Sequence, residues 1–181
     1  KITIDGLREA SHITKKETIE WNENNTFFLI LKRILKSEEI CTLYSCDEQR
    51  VLSNIDNQRE LFNQIFPVNM VLPNGETKPT YSWMLEMLKD GNNLYTPREI
   101  IHLLNEVNST QEEMSRFGNK VDEGKMYSGE ALIQSVKEVA KVKFEQTLLA
   151  ENPHLVDLIN RYFRYSDSKI DLKWIKETFE L

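Results

Sequence analysis

The sequence contains no motif of the form G-x-x-x-x-G-K-[ST], the glycine-rich loop that cradles nucleotide phosphates. No hydrophobic strand ends in paired acids that would hold magnesium, and no serine or cysteine stands in a recognisable nucleophile elbow. Histidine occurs only as His12, His102 and His154, on three separate segments. These absences predict that the 181 residues are not an enzyme by themselves.

Long apolar runs and cysteines are also scarce. No run approaches the ~20 apolar residues that span a bilayer, and no basic segment followed by an apolar one marks a leader. Cys41 and Cys46 have no paired His or Cys nearby to complete a zinc site, so they are interpreted as ordinary thiols in a reducing compartment. We therefore expect a cytoplasmic protein without a membrane partner. Because the sequence begins at Lys1 inside a β-like segment, we also expect a fragment of a longer chain.

The charge balance does not favour a nucleic-acid binder. Hydrophobic residues at 40% and charged residues at 29% are typical of soluble domains. Up to Gly118 there are 13 basic and 18 acidic residues, a net charge of −5; after it there are 10 and 11, a net charge of −1. Neither part has a net positive charge, although these net charges still allow a local basic patch on the surface.

Hydrophobic periodicity predicts a mainly helical chain with one or two short strands near its start. Residues 1–5 and 13–21 have strand character, with Ile13, Ile19 and Trp21 expected to be buried. Residues 26–36 predict a core helix that the polar break at 22–25 caps, and residues 54–66 predict a second amphipathic helix. Residues 67–79, punctuated by three prolines and Asn74-Gly75, predict a loop.

The segment from Tyr81 to Val107 carries the strongest local signals. It predicts two amphipathic helices joined by the turn Asp90-Gly91-Asn92-Asn93. Thr96 is a good N-cap, Pro97 occupies the first helical position, and Glu99 completes a Thr-x-x-Glu capping box. Arg98 is thereby expected at a rigid helix start, and His102 follows it by four residues on the same face. The alternative is that both side chains are simply solvated.

The glycine-containing segment 116–128 lacks an apolar period and is predicted to be a domain boundary. Four short helices are expected after it, at residues 129–139, 141–151, 153–165 and 171–179, the last with Leu172, Ile175 and Phe179 facing inward. Such a run of helices suits a helix-turn-helix or winged-helix module. The predicted domains are 1–25, 26–118 and 119–181.

The order of these elements resembles the C-terminal part of a bacterial P-loop ATPase of the AAA+/STAND kind, in which a helical lid follows the ATPase core and a winged-helix-like module follows the lid. ETIEW (17–21) with TFFLILKRIL is similar to the core-to-lid junction. Residues 80–107 are similar to the lid, with its pattern W-x-L…DGN…TPR-[DE]-[IL]-[IL], and residues 136–159 resemble the helical tail. The resemblance implies that residues 1–25 end the core, 26–118 form the lid and 119–181 form the winged-helix-like domain.

The resemblance also implies a role for Arg98. In AAA+ lids an arginine at the start of a lid helix often acts as "sensor 2", contacting the distal phosphates of the nucleotide and linking ATP state to lid angle. Thr96, Pro97, Arg98 and His102 are then the nucleotide-sensing residues. ATP and Mg²⁺ are implied for the full-length protein and no cofactor for the fragment itself. The implied partners are the protein's own N-terminal ATPase core and a homo-oligomer or protein partner, in a role in signalling or defence.

Two other functions remain open at this level. The first is a DNA-binding winged-helix module, for which Lys137, Lys141 and Lys143 form one modest basic cluster interleaved with Glu138 and Glu145. The second is a helical scaffold or interaction domain that binds no ligand.

Overall fold

The computed structural model describes residues 21–72, 74–90, 93–122, 124–163 and 170–179. Its first helix, α1 (Glu23–Ile34), begins where the sequence predicts a cap, because the Asn22 side chain accepts the N–H of Asn25 at 2.9 Å. The predicted strands at 1–5 and 13–20 lie outside the described residues. Trp21 is described and has 42% of its surface exposed, so the prediction that it is buried is wrong.

The described residues are mainly helical, as predicted. The helices of the first two thirds of the chain are α1, α2 (Glu38–Leu43), α3 (Glu48–Ser53), α4 (Ile55–Ile65), α5 (Thr80–Leu88) and α6 (Pro97–Arg116). Those of the last third are α7 (Gly129–Lys143), a π-helical turn (Phe144–Leu149), a 3₁₀ turn (Pro153–Leu155), α8 (Val156–Leu158), a second π-helical turn (Ile159–Phe163) and α9 (Leu172–Phe179).

A small antiparallel hairpin replaces the predicted loop at 67–79. Strand β1 (Asn69–Val71) pairs with β2 (Thr77–Pro79), with Met70 opposite Lys78. Gly75 has φ +83°, a conformation that glycine adopts without strain, and its N–H is bonded to the carbonyl of Leu72. The hairpin is anchored by Met70, which is 2% exposed and lies so near the start of α7 that a Cβ added at Gly129 would be 3.6 Å from its side chain.

One buried cluster connects α1, α4, α5, α6 and α7. Its members are Phe27, Ile30, Leu31, Ile34, Leu61, Phe62, Ile65, Trp83, Met84, Leu85, Leu88, Ile100, Leu103, Val107, Leu132 and Val139, among others. The rings of Phe27, Phe62 and Tyr81 meet at one side of it, with centroids 4.8 to 5.9 Å apart. Burial of this many aliphatic and aromatic side chains supplies the main favourable free energy of the fold.

Polar contacts join α6 to α7 along their antiparallel length. The Gln111 side chain accepts the N–H of Ser128 at 2.8 Å, and the hydroxyls of Ser135 and Thr110 are 3.1 Å apart. The connection 117–128, predicted to be a domain boundary, is also bonded to α4, because the N–H groups of Met126 and Tyr127 donate to the carbonyl of Ile65. The helices on either side of this connection therefore share one core.

The C-terminal third differs from its sequence prediction in two details. Helix α7 runs without interruption through residue 140, where the prediction broke it, because the sequence there contains no glycine or proline. Leu172 is 67% exposed, so its predicted inward position is wrong. Within 124–163 and 170–179 the structure contains helices and turns and no strand.

None of the helices in the described residues is both long enough and apolar enough to cross a membrane.

Candidate functional site

The start of α6 has the predicted cap. Thr96 is extended (φ −114°, ψ 151°), its Oγ1 accepts the N–H of Glu99 at 3.4 Å, and Oε2 of Glu99 accepts the N–H of Thr96 at 2.9 Å. Pro97 follows at the first helical position, where the missing N–H removes no helical hydrogen bond. The predicted capping box is confirmed, and it fixes the backbone that carries Arg98.

The turn before this helix is held by Asp90. Its Oδ1 accepts the N–H of Leu94 at 2.9 Å, and its own backbone N–H donates to the carbonyl of Leu94 at 2.8 Å. Asn93 has φ +60°, a left-handed conformation that asparagine tolerates better than most residues. Hydrogen bonds between Asp90 and Leu94 therefore hold the end of α5 close to the start of α6. Residues 91–92, between them, lie outside the described residues.

Lys143, at the end of α7, reaches the same cap from the opposite direction. Its Nζ lies 2.5 Å from Oε1 of Glu99 and 3.4 Å from the carbonyl of Leu88 in α5. The side chains of Lys143 and Glu99 are 34% and 17% exposed, so the pair is partly shielded from water. One ammonium group thus links the end of α5, the start of α6 and the end of α7.

Arg98 is exposed and, within the part of the chain that the structure describes, makes no hydrogen bond or ion pair. Its neighbour Glu99 is already shared between Thr96 and Lys143, which leaves the guanidinium group without competition from that carboxylate. His102, one turn further along the helix, is half-buried, with Nε2 3.5 Å from the Glu106 carboxylate. A delocalised cation held on a fixed backbone is well suited to a phosphate or carboxylate ligand.

Arg98 and His102 lie on one side of a groove of about 420 Å³ between α6 and the end of α7. The groove is lined by Thr96, Arg98, Glu99, His102, Val139, Val142, Lys143, Gln146 and Glu151. Two cations and two carboxylates face it, and because Lys143 pairs with Glu99, Arg98 and Glu151 are its charges without an ion pair among the described residues. The groove therefore offers one cation, Arg98, that no carboxylate among the described residues pairs with.

The described residues do not fit a magnesium site. No group of three or more His, Cys, Asp or Glu side chains among them is placed to hold a metal ion. The Mg²⁺ that the family resemblance implies consequently finds no ligand set in this part of the chain.

The three lysines proposed as a basic cluster face different sides of α7. Lys137 and Lys141 are exposed and four residues apart, hence on one face. Lys143 follows Lys141 by two residues, which turns it by about 200° around the helix toward α6, where it pairs with Glu99. The Glu99–Lys143 pair was missed by the sequence analysis, because the partners are 44 positions apart and no local pattern connects them.

Comparison with protein-family models, with curated proteins and with solved structures gave no match.

Proposed function

We propose that this chain is the regulatory C-terminal part of a P-loop ATPase, a helical lid (26–118) followed by a winged-helix-like tail (119–181). In this proposal Arg98 contacts the distal phosphates of ATP bound to an N-terminal ATPase core. The lid then relays the nucleotide state to a partner or an oligomer interface. The observation that carries the proposal is an exposed guanidinium without an ion-pair partner among the described residues, next to a helix cap whose carboxylate, Glu99, is bonded to Thr96 and Lys143.

The environment of Arg98 supports contact with an anion. The positive end of the α6 dipole lies at this helix start, which favours negative charge within the first turn. The Glu99 carboxylate would oppose a phosphate, but Lys143 offsets its charge at 2.5 Å. A bound phosphate therefore meets the guanidinium and the helix end with the Glu99 carboxylate compensated, while the carboxylate of Glu151 also lines the groove.

The same geometry limits what the chain does alone. One arginine is one ligand for a triphosphate, which P-loop enzymes otherwise hold with backbone N–H groups, a lysine and Mg²⁺. Those groups belong to the proposed core, so the lid does not turn over ATP by itself. The lid contacts the nucleotide in a closed arrangement and not in an open one. Bound nucleotide therefore shifts the population from the open to the closed arrangement.

The test uses the protein encoded by the complete gene, titrated with a slowly hydrolysed ATP analogue by calorimetry. Arg98→Ala should weaken binding by about tenfold to a hundredfold, the loss of one charge-assisted contact. Arg116→Ala is the matched control, because Arg116 lies at the other end of α6 and is 79% exposed, 3.9 Å from Glu112. Equal affinities of wild type and Arg98→Ala, with ATP bound by both, would show that Arg98 is not the sensor.

The nucleic-acid alternative has less support. Its basic cluster loses Lys143 to the ion pair with Glu99, leaving Lys137 and Lys141 next to Glu138. If binding to DNA were found, it should weaken steeply with added salt, because phosphate contacts release counterions. A Lys137→Ala, Lys141→Ala double variant that binds DNA as wild type does would exclude this face of α7.

A further inference from the structure

The end of α2 brings the only two cysteines of the chain together. The N–H of Cys46 donates to the carbonyl of Cys41 at 2.9 Å, and the N–H of Ser45 donates to the carbonyl of Thr42 at 3.4 Å. Ser45 is left-handed, with φ +50°. This 6→1 and 5→2 pair of bonds around a left-handed residue is a Schellman motif, which closes a helix by turning the chain back on its last turn.

A Schellman motif places two particular side chains in contact, those of the residues that form its 6→1 bond. In α2 these two residues are Cys41 and Cys46, and the backbone bond between them brings their side chains to the same side of the turn. Both side chains are half-buried against the core, and the Cys41 thiol also lies 3.4 Å from the carbonyl of Leu35. Burial, followed by the neighbouring Cys41, raises the pKa of the Cys46 thiol to about 11.

The backbone bond limits how far apart the two cysteines are. Standard bond lengths on either side of the 2.9 Å N–H···O contact hold the Cα atoms of Cys41 and Cys46 within about 6.8 Å of each other. Disulfides join residues whose Cα atoms are about 4.4 to 6.8 Å apart. The motif therefore satisfies the main distance requirement of a disulfide while both thiols are reduced.

We propose that Cys41 and Cys46 form a dithiol oxidation site, which peroxides convert to an intramolecular disulfide. Because its raised pKa keeps Cys46 protonated, the attacking thiolate is that of Cys41, which has released its proton. It attacks an oxygen of hydrogen peroxide, the O–O bond breaks, and the departing hydroxide takes up the released proton, so that a sulfenic acid and water result. The second sulfur then attacks the sulfenic sulfur, the S–O bond breaks and a second water leaves. Two electrons pass from the sulfurs to the peroxide, and a thiol reductant returns both cysteines to the starting state.

The site lies at the junction of two helices. Asp47, directly after Cys46, caps α3 by accepting the N–H of Arg50 at 2.6 Å, and Tyr44 approaches the carbonyl of Gly124 at 3.5 Å. A disulfide across the motif would hold the α2–α3 junction closed in its present shape. This modification is independent of the nucleotide contact proposed for Arg98, so either proposal stands if the other fails.

The experiment treats the purified full chain with hydrogen peroxide and follows intact mass and iodoacetamide labelling over time. Because the chain has two cysteines, the expected product is a monomer that has lost two hydrogens, takes no label and recovers both thiols with dithiothreitol. The rate should increase between pH 7 and pH 9, since the thiolate is the attacking form. A wild type that gains oxygen atoms without losing two hydrogens, or that forms only cross-linked dimers, overturns the proposal.

Substitutions at Ser45 test the geometry while keeping both thiols. Ser45→Gly accepts the left-handed conformation and should form the disulfide at least as fast as wild type. Ser45→Val disfavours that conformation and should slow disulfide formation by about tenfold or more. Equal rates for the two variants would show that the motif does not bring the thiols together. Cys41→Ser and Cys46→Ser should each gain oxygen on the remaining thiol and form no intramolecular disulfide.

Discussion

Lys143 and Glu99 connect α6 and α7, the two longest helices in the described residues, at a point that is also a helix cap. Oε1 of Glu99 receives the Lys143 ammonium at 2.5 Å, while Oε2 accepts the N–H of Thr96 at 2.9 Å. The Glu99 carboxylate therefore takes part in the N-terminal cap of α6 and also forms an ion pair with α7. Because the pair is partly buried, it is screened less than a surface ion pair.

The two roles of Glu99 can be separated by mutation. In Glu99→Gln the side-chain oxygen still accepts the N–H of Thr96, as glutamine does in a capping box, but the charge facing Lys143 is gone. We expect the free energy of unfolding to fall by about 1 kcal/mol. Glu99→Ala removes the cap as well and should cost about 1 kcal/mol more. Urea unfolding followed by circular dichroism measures both changes.

A double-mutant cycle with Lys143→Gln isolates the pair itself. We expect a coupling energy of about 1 kcal/mol between positions 99 and 143. The comparison is Glu112 with Arg116 on the same helix, a pair that is 3.9 Å apart and mostly exposed, for which we expect less than about 0.5 kcal/mol. Similar coupling in the two cycles would contradict the claim that burial strengthens the inner pair.

Among the described residues, the Schellman motifs that end α2 and α6 differ in the residue that takes the left-handed position. At the end of α6, Gly118 has φ +84°, and a Cβ added there would meet nothing within 4 Å. At the end of α2 the same position is Ser45, with φ +50°. We expect Ser45→Gly to stabilise the fold by about 0.5 to 1 kcal/mol and Gly118→Ser to destabilise it by about 1 kcal/mol.

Thermal or urea unfolding of the two variants provides the check, and each serves as the control of the other. Each substitution adds or removes one hydroxymethyl group at a left-handed backbone position. At Gly118 an added Cβ meets nothing within 4 Å, so packing contributes little to the change in stability there. Stability changes of the same sign in both variants would mean that side-chain contacts, not backbone conformation, decide the effect.

The features that the sequence predicted correctly are encoded within a few residues. The Thr96–Glu99 capping box and the Asn22 cap depend on spacings of three residues, and the structure has both. The continuity of α7 through residue 140 was also readable in principle, since no glycine or proline interrupts it. The prediction nevertheless ended one helix at residue 139 and began another at residue 141, whereas the favourable helical propensities carry α7 through this point.

The features that the sequence did not reveal depend on residues far apart in the chain. The strands Asn69–Val71 and Thr77–Pro79 are three residues each, too short to show alternation, and their pairing depends on Met70 reaching the core. The Glu99–Lys143 pair joins positions separated by a whole helix and a connection. The approach of Cys46 to Cys41 depends on the left-handed backbone of Ser45, and a serine, unlike a glycine, does not indicate such a turn in the sequence.

The core shared by α6 and α7 makes a prediction about cooperativity. Leu132 is fully buried on α7 in the same cluster as Leu103 of α6. Leu132→Ala should lower the free energy of unfolding by about 2 to 5 kcal/mol, as other large-to-small core substitutions do. Leu94→Ala is the matched control, since Leu94 is 65% exposed and its removal should change stability by less than about 0.5 kcal/mol.

The same experiment reports on the predicted boundary at 116–128. The measurement uses Leu132→Ala in a background with Trp21→Phe and Trp174→Phe, so that Trp83 in α5 is the one remaining tryptophan. If α7 unfolds with the preceding helices, the fluorescence of Trp83 should change at the same urea concentration as the circular dichroism. Two separate transitions, with only the second detected by fluorescence, would mean that α7 unfolds as an independent unit.

Tyr81 should make stability decrease at alkaline pH. Burial, followed by the neighbouring Tyr95 and Glu23, raises its pKa above the ordinary value near 10, and its hydroxyl donates to the carbonyl of Glu23. Above about pH 10 the unfolded chain loses this proton while the folded chain keeps it. The folded state then binds more protons than the unfolded state, so the free energy of unfolding falls as pH rises.

Tyr81→Phe isolates this contribution. At pH 8 the variant should be less stable by about 1 kcal/mol, the contribution of the hydrogen bond to Glu23. Between pH 10 and pH 11.5 its stability should fall less steeply than that of wild type, because the phenyl ring has no proton to lose. Burial also raises the pKa values of Tyr44 and Tyr127, but both proteins retain these residues, so the difference in slope belongs to Tyr81. Urea unfolding at half-unit intervals of pH measures the two slopes, and parallel curves would show that the Tyr81 hydroxyl ionises alike in folded and unfolded chains.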